Sequence, residues 1–116
     1  MQAYQGKCHC GAVTFLVQSD LASVIECNCS HCAIKSLLLT FVPASQFQLR
    51  SGEADLSEYR FNKHVIAHLF CRHCGVEAFG KGNDETGVEI IAINIRTLEG
   101  IDLTSVPRTP FDGKKL

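Results

Sequence analysis

The sequence predicts one mainly-β domain, residues 1–116, with irregular connections and bound metal as its organiser. Three observations carry this. Apolar residues recur with period two in several short runs, as they do in half-buried strands. Helical periodicity is nearly absent. Seven cysteines, among 116 residues, fall in three tight clusters. The length suits a single hydrophobic core. With 46% hydrophobic and 20% charged residues, the composition is that of a globular protein and not a disordered one.

In sequence order, Val13, Phe15 and Val17 alternate with Thr14, Leu16 and Gln18, which predicts a strand. Residues 37–42 form a β-prone apolar run that Pro43 stops, and Phe47-Gln48-Leu49 alternates again before Ser51-Gly52. Residues 59–61 and 65–70 read as two further strands, broken near Asn62-Lys63. Residues 88–95 are the most strongly β-branched stretch, and Gly82-Asn83-Asp84 and Gly87 supply turns before it. Single helical turns are expected at 30–35 and after Pro43. From Arg96 onward, Gly100, Pro107, Pro110 and Gly113 make the sequence loop-like, to be ordered only by packing across the sheets.

The formal net charge of −1 gives no overall attraction to nucleic acid or to an anionic membrane. Two tyrosines and no tryptophan offer little for base stacking, although seven phenylalanines are present. No apolar run approaches the length of a membrane span, and Met1 to Lys7 lacks the basic and apolar regions of a signal peptide. A reducing, cytoplasmic setting is therefore expected. There an odd number of cysteines points to metal and away from a disulfide framework.

The clusters are Cys8-His9-Cys10-Gly11, Cys27-Asn28-Cys29-Ser30-His31-Cys32 and Cys71-Arg72-His73-Cys74-Gly75. Sulfurs around a tetrahedral zinc, with Zn–S bonds of about 2.3 Å, stand roughly 3.8 Å apart. In an extended segment, C-x-C projects both side chains to one face; C-x-x-C converges across a tight turn, for which Gly75 supplies a permissive backbone. Each pair gives half a tetrahedron, so Cys8, Cys10, Cys71 and Cys74 together would make a closed four-thiolate site. Cys27, Cys29 and Cys32 combine both spacings within six residues. They would hold a second zinc with a vacant position, as catalytic sites do, or a second structural zinc completed by a histidine.

Zinc with three thiolates carries a net charge of −1 and is a weak Lewis acid toward water. It suits an incoming thiol better, because binding lowers the thiol's pKa and keeps it nucleophilic. The chemistry expected is addition of a thiol to an electrophile, or cleavage of the carbon–sulfur bond. Lys35 follows the triplet and would favour a thiolate, or is an ordinary solvated lysine. His9, His31 and His73, lying between the cysteines, are expected to point outward. His64 and His68 precede the Cys71 knuckle; either would serve as the acid–base group, complete the triplet, or be merely structural.

These residues carry a pattern that resembles the glutathione-dependent formaldehyde-activating enzyme family, which includes proteins similar to centromere protein V. The matching pieces begin with Gly6-Lys7-Cys8-His9-Cys10-Gly11-Ala12-Val13, Glu26-Cys27-Asn28-Cys29-Ser30-His31-Cys32 and Phe41-Val42-Pro43-Ala44-Ser45. They continue with Tyr59-Arg60-Phe61-Asn62-Lys63-His64, Phe70-Cys71-Arg72-His73-Cys74-Gly75, Ile93-Asn94-Ile95-Arg96 and the final Phe111-Asp112-Gly113. The resemblance implies a β-tent fold, small antiparallel sheets organised around zinc. It implies Cys8, Cys10, Cys71 and Cys74 as the structural site, and Cys27, Cys29 and Cys32 as the catalytic one. It also implies a carbon–sulfur lyase reaction, glutathione and formaldehyde giving S-hydroxymethylglutathione. The rival is a non-catalytic zinc module that binds a protein or nucleic-acid partner.

Overall fold

The computed structural model describes residues 1–61 and 66–113. Among them the fold is mainly β. Strands β1 (Gln2–Lys7), β2 (Thr14–Ser19) and β5 (Phe47–Ser51) form a three-stranded antiparallel sheet in the order β1-β2-β5. The second sheet has seven strands, starting from β10 (Thr109–Phe111), β3 (Ile25–Cys27) and β4 (Leu39–Pro43). It continues through β9 (Glu89–Asn94), β8 (Glu77–Asn83), β7 (Ala67–Cys71) and β6 (Leu56–Tyr59). Every pairing is antiparallel except β10 on β3, which is parallel. The named helical elements are short: α1 (Ser30–Lys35) and 3-10 turns at Ala44–Gln46, Glu53–Asp55 and Ile95–Thr97. No helix among them is long and apolar enough to cross a membrane.

The expected strands at 13–17, 37–42, 47–49 and 88–95 fall on β2, β4, β5 and β9, and both expected helical turns form. The strand expected at 59–61 lies earlier, at Leu56–Tyr59, because Leu56 pairs with Cys71 and Tyr59 with His68, leaving Phe61 beyond the sheet. The strand expected at 65–70 is β7, Ala67–Cys71, with Val65 outside the described residues. Pattern reading misses β1, β3, β8 and β10. In β8, Glu77, Ala78, Phe79 and Gly80 are all buried, so no alternation shows, and Gly80 and Gly82 counter the usual β preferences. The loop-like tail does cross the sheet: Thr109–Phe111 runs beside Ile25–Cys27 as the added edge.

The period-two pattern of β2 fills the core. Val13, Phe15 and Val17 are at most 1% exposed. The Phe15 ring lies 5.4 Å from Phe47 and 6.0 Å from Phe79, with 4.7 Å between Phe47 and Phe79. Phe15 and Phe47 come from the smaller sheet and Phe79 from the larger, so this trio joins them. Such edge and tilted pairs add about 0.5–1.5 kcal/mol each beyond area burial. Gly6 faces Phe15 across the β1–β2 register, and the aromatic ring occupies the space a β-carbon would need.

Candidate metal centres and the adjoining cavity

Cys8 follows β1 in the smaller sheet and Cys71 ends β7 in the larger one. The structure brings Cys8, Cys10, Cys71 and Cys74 together as expected, with their sulfurs mutually within 4.8 Å. Cys8 and Cys10 sulfurs are 3.7 Å apart, and Cys10 and Cys71 sulfurs 3.6 Å, close to the edge of a zinc–thiolate tetrahedron. Two similar knuckles shape the group. The Gly11 N–H bonds to the Cys8 carbonyl at 3.2 Å, and the Gly75 N–H bonds to the Cys71 carbonyl at 2.8 Å. Both glycines adopt positive φ, 83° and 80°, which a side chain would disfavour. Backbone N–H groups also point at sulfur: Val13 at Cys8, 3.3 Å, and His73 at Cys71, 3.4 Å.

Protons are distributed unevenly over these sulfurs. For Cys74, burial pushes the thiol up, but N–H groups of Val76 and Cys10 and the neighbouring thiols bring it down to about 6. Cys10 receives an N–H from Ala12, yet burial and the sulfurs of Cys71, Cys8 and Cys74 raise it to about 11. One thiolate thus forbids the next. A divalent cation removes the conflict, because it stabilises all four deprotonated sulfurs at once. The donor set fits zinc.

Cys27, Cys29 and Cys32 converge likewise, with their sulfurs within 4.8 Å of one another. β3 supplies Cys27; Cys29 caps α1, its sulfur accepting the Cys32 N–H at 3.4 Å; and Cys32 is the buried residue of that helix. The Cys29 N–H points at the Cys27 sulfur, 3.4 Å away. Burial raises the Cys29 thiol, but the Cys32 N–H, the two neighbouring thiols and the His31 N–H bring it below its ordinary value. Cys32 goes the other way, pushed far up by burial and by the Cys29 and Cys27 sulfurs. Both cysteine groups could therefore hold a zinc ion.

The tail packs against the triplet. The Asn28 N–H bonds to the Phe111 carbonyl at 3.0 Å, and the Asn28 amide donates to the Asp112 carboxylate at 3.0 Å. Gly113 follows so closely that a β-carbon there would stand 2.5 Å from the Cys27 sulfur and 3.1 Å from Cys29 Cβ. Only glycine fits.

Beside the triplet a cavity of about 710 Å³ opens, with Phe111 and Gly113 of the tail in its wall, and Cys27, Cys29, Cys32, His68 and Glu77 all reach into it. Glu77 was not anticipated, although one acid set between Val76 and Ala78-Phe79 is a signal of a buried carboxylate. Its side chain is 4% exposed and accepts from His31 Nε2 at 2.7 Å, Lys35 Nζ at 3.1 Å and His68 Nδ1 at 3.3 Å. Burial works against the charge, but those hydrogen bonds outweigh it and hold the carboxyl below its ordinary value.

His31 corrects the expectation that it points outward: its side chain is 8% exposed. A residue within a six-residue turn of helix has a buried side as well as a solvent side, and His31 takes the buried one. Its ring lies 4.0 Å from that of His68 and stacks with Tyr59 and Phe61 at 5.7 and 5.4 Å. Burial depresses its pKa more than Glu77 restores it, so it meets Glu77 as a neutral N–H donor, and Lys35 supplies the balancing charge. Lys35 is therefore no freely solvated lysine. His9 is exposed, and His73 is half-exposed and bonded to Asp55 at 2.8 Å, both as expected. His64 lies outside the described residues.

Replacing Glu77 with Gln should cost about 1–3 kcal/mol at neutral pH, since an amide cannot accept from all three donors. A carboxyl held below its ordinary 4.5 stabilises the fold fully above that value and loses the contribution as pH falls through the folded pKa. Urea midpoints of the two proteins should therefore differ most near neutrality and converge in acid.

The model of a family described as glutathione-dependent formaldehyde-activating enzyme matches residues 3–109. Among solved structures, the protein is similar to the crystal structure of a Rhodobacter sphaeroides protein, with a TM-score of 0.77 and 30% identity. That match covers 90% of this sequence and 99% of the other.

Proposed function

The chain belongs to the glutathione-dependent formaldehyde-activating enzyme family, and on that premise we propose a zinc-dependent carbon–sulfur lyase acting on a thiol adduct. The family supports a function related to glutathione and formaldehyde, for which S-hydroxymethylglutathione is the corresponding adduct. In this proposal Cys27, Cys29 and Cys32 hold the catalytic zinc, and Cys8, Cys10, Cys71 and Cys74 the structural one. The observation that carries it is the shared cavity: the three sulfurs line the same walls as His68 and Glu77.

When bound, zinc lowers the pKa of a thiol and keeps its sulfur nucleophilic near neutral pH. The protein's own groups then manage the proton. Glu77 accepts from His68 Nδ1, which fixes the tautomer that leaves Nε2 as the acceptor. Nε2 takes the proton as the S–H bond breaks. Sulfur forms a bond to the aldehyde carbon, the C=O π pair moves to oxygen, and Nε2 returns the proton there. Thiol and aldehyde become an S-hydroxyalkyl adduct with every atom accounted for, and the reverse sequence cleaves it. His31 and Lys35 act at one remove, holding Glu77 ionised and in place.

Replacing His68 with Ala should lower turnover about 10²-fold or more, the usual worth of a positioned acid–base group, while zinc content stays the same. Exchange between free and adduct glutathione, followed by NMR, measures this. Unaltered exchange in a fully metallated variant would remove His68 from the mechanism.

A further inference from the structure

We infer that the thiol best suited to this site has an apolar body, unlike glutathione with its charged arms. The inference rests on the proposal that the triplet takes a thiol. It concerns the walls around that position. Ile25, Leu39, Phe41, Phe61, Ile66 and Phe111 face the cavity of about 710 Å³ together with the three cysteines. No lysine, arginine or aspartate is among the described residues that line it. Its one acid among those residues, Glu77, is already engaged by His31, His68 and Lys35.

Glutathione carries two carboxylates and an ammonium, and burying them against the described apolar walls is costly. A second cavity, of about 570 Å³, also touches Cys27 and Cys32 and is more polar. Its described walls contain one cation, Arg96, against two acids, Glu26 and Asp112, and Arg96 Nε donates to the Ser36 carbonyl at 2.8 Å. That balance opposes a dicarboxylate as well.

The exposed apolar surface points the same way. Phe41, Ile66 and Phe111, all lining the larger cavity, are 50%, 47% and 41% exposed, a cost that packing of the fold does not explain. An aryl or branched alkyl group on the thiol would cover them while its sulfur reached the triplet. Apolar area removed from water is the driving force, and a phenyl ring supplies enough for a preference of about tenfold or more.

The test uses zinc-loaded protein and calorimetric titration with benzyl mercaptan, glutathione and 2-mercaptoethanol. Benzyl mercaptan should bind about tenfold or more tighter than either of the others. Phe41→Ser should shrink the ratio between benzyl mercaptan and 2-mercaptoethanol; Phe41 is half-exposed, so the variant should fold. Glutathione binding as tightly as benzyl mercaptan would overturn this inference alone and leave the thiol-binding triplet standing. Failure of all three thiols to bind would overturn both. Light scattering runs alongside: a dimer that Phe41→Ser dissociates would show that a second copy covers the patch, and would also overturn the inference.

Discussion

Cys71→Ser should give no stably folded protein. Cys71 is fully buried, its sulfur is 3.6 Å from that of Cys10, and it ties the end of β7 to the segment after β1. That tie and the Phe15, Phe47 and Phe79 cluster both hold the two sheets together. Structural zinc contributes about 10–16 kcal/mol of apparent binding energy in small zinc peptides. A domain of this size is stable by about 5–15 kcal/mol in total. In the proposed assignment, losing one of four ligands, and burying a hydroxyl where a thiolate would stand, removes a large part of the margin. Insoluble expression, or a collapsed circular dichroism spectrum, is the expected result. Chelation of the wild-type protein should have the same effect.

Cys29→Ser should behave in the opposite way: fold retained, catalytic metal and activity lost. Cys27, Cys29 and Cys32 belong to one short segment, so their metal closes no long loop. Cys29 also caps α1 by accepting the Cys32 N–H, and a serine hydroxyl is among the best groups for that position. The stability change should stay within about 1–2 kcal/mol. Zinc content should fall by half, from two sites to one, and thiol exchange by about 10³-fold, since positioning and thiol activation go together. Equal loss of circular dichroism in Cys71→Ser and Cys29→Ser would show that the triplet, too, is structural.

The cysteine groups were legible because metal geometry is local and strict. C-x-C and C-x-x-C leave few ways to converge, and the positive φ of Gly75 is what its place after Cys74 suggested. β2 and β5 were legible because apolar residues alternate along them, β4 as an apolar run stopped by Pro43, and β9 by its β-branched residues. β8 was not, since strands buried on both faces lose the alternation that marks a strand. The parallel edge β10 was hidden for another reason: Thr109–Phe111 becomes a strand only through pairing with Ile25–Cys27, and three residues have no pattern of their own. The Glu77 network joins residues 31, 35, 68 and 77, brought together by the β7–β8 register and the docking of α1. Nothing in the spacing of those four residues signals that they meet. His31, placed between two cysteines of the triplet, shows how far local context can mislead about direction.

The measurement closest to the central claim is a thiol titration of the cobalt-substituted protein, with optical spectra and proton release followed together. Two cobalt ions per molecule should bind, one to each cysteine group. One spectrum should stay fixed, as a closed four-thiolate site requires. The other should gain sulfur-to-metal intensity as 2-mercaptoethanol is added, with a proton released for each thiol bound in the His68→Ala variant, where no Nε2 retains it, increasingly so as pH falls below the free thiol's pKa. Two spectra that both ignore the thiol, or an imidazole ligand already on the metal at Cys27, Cys29 and Cys32, would contradict an open catalytic site.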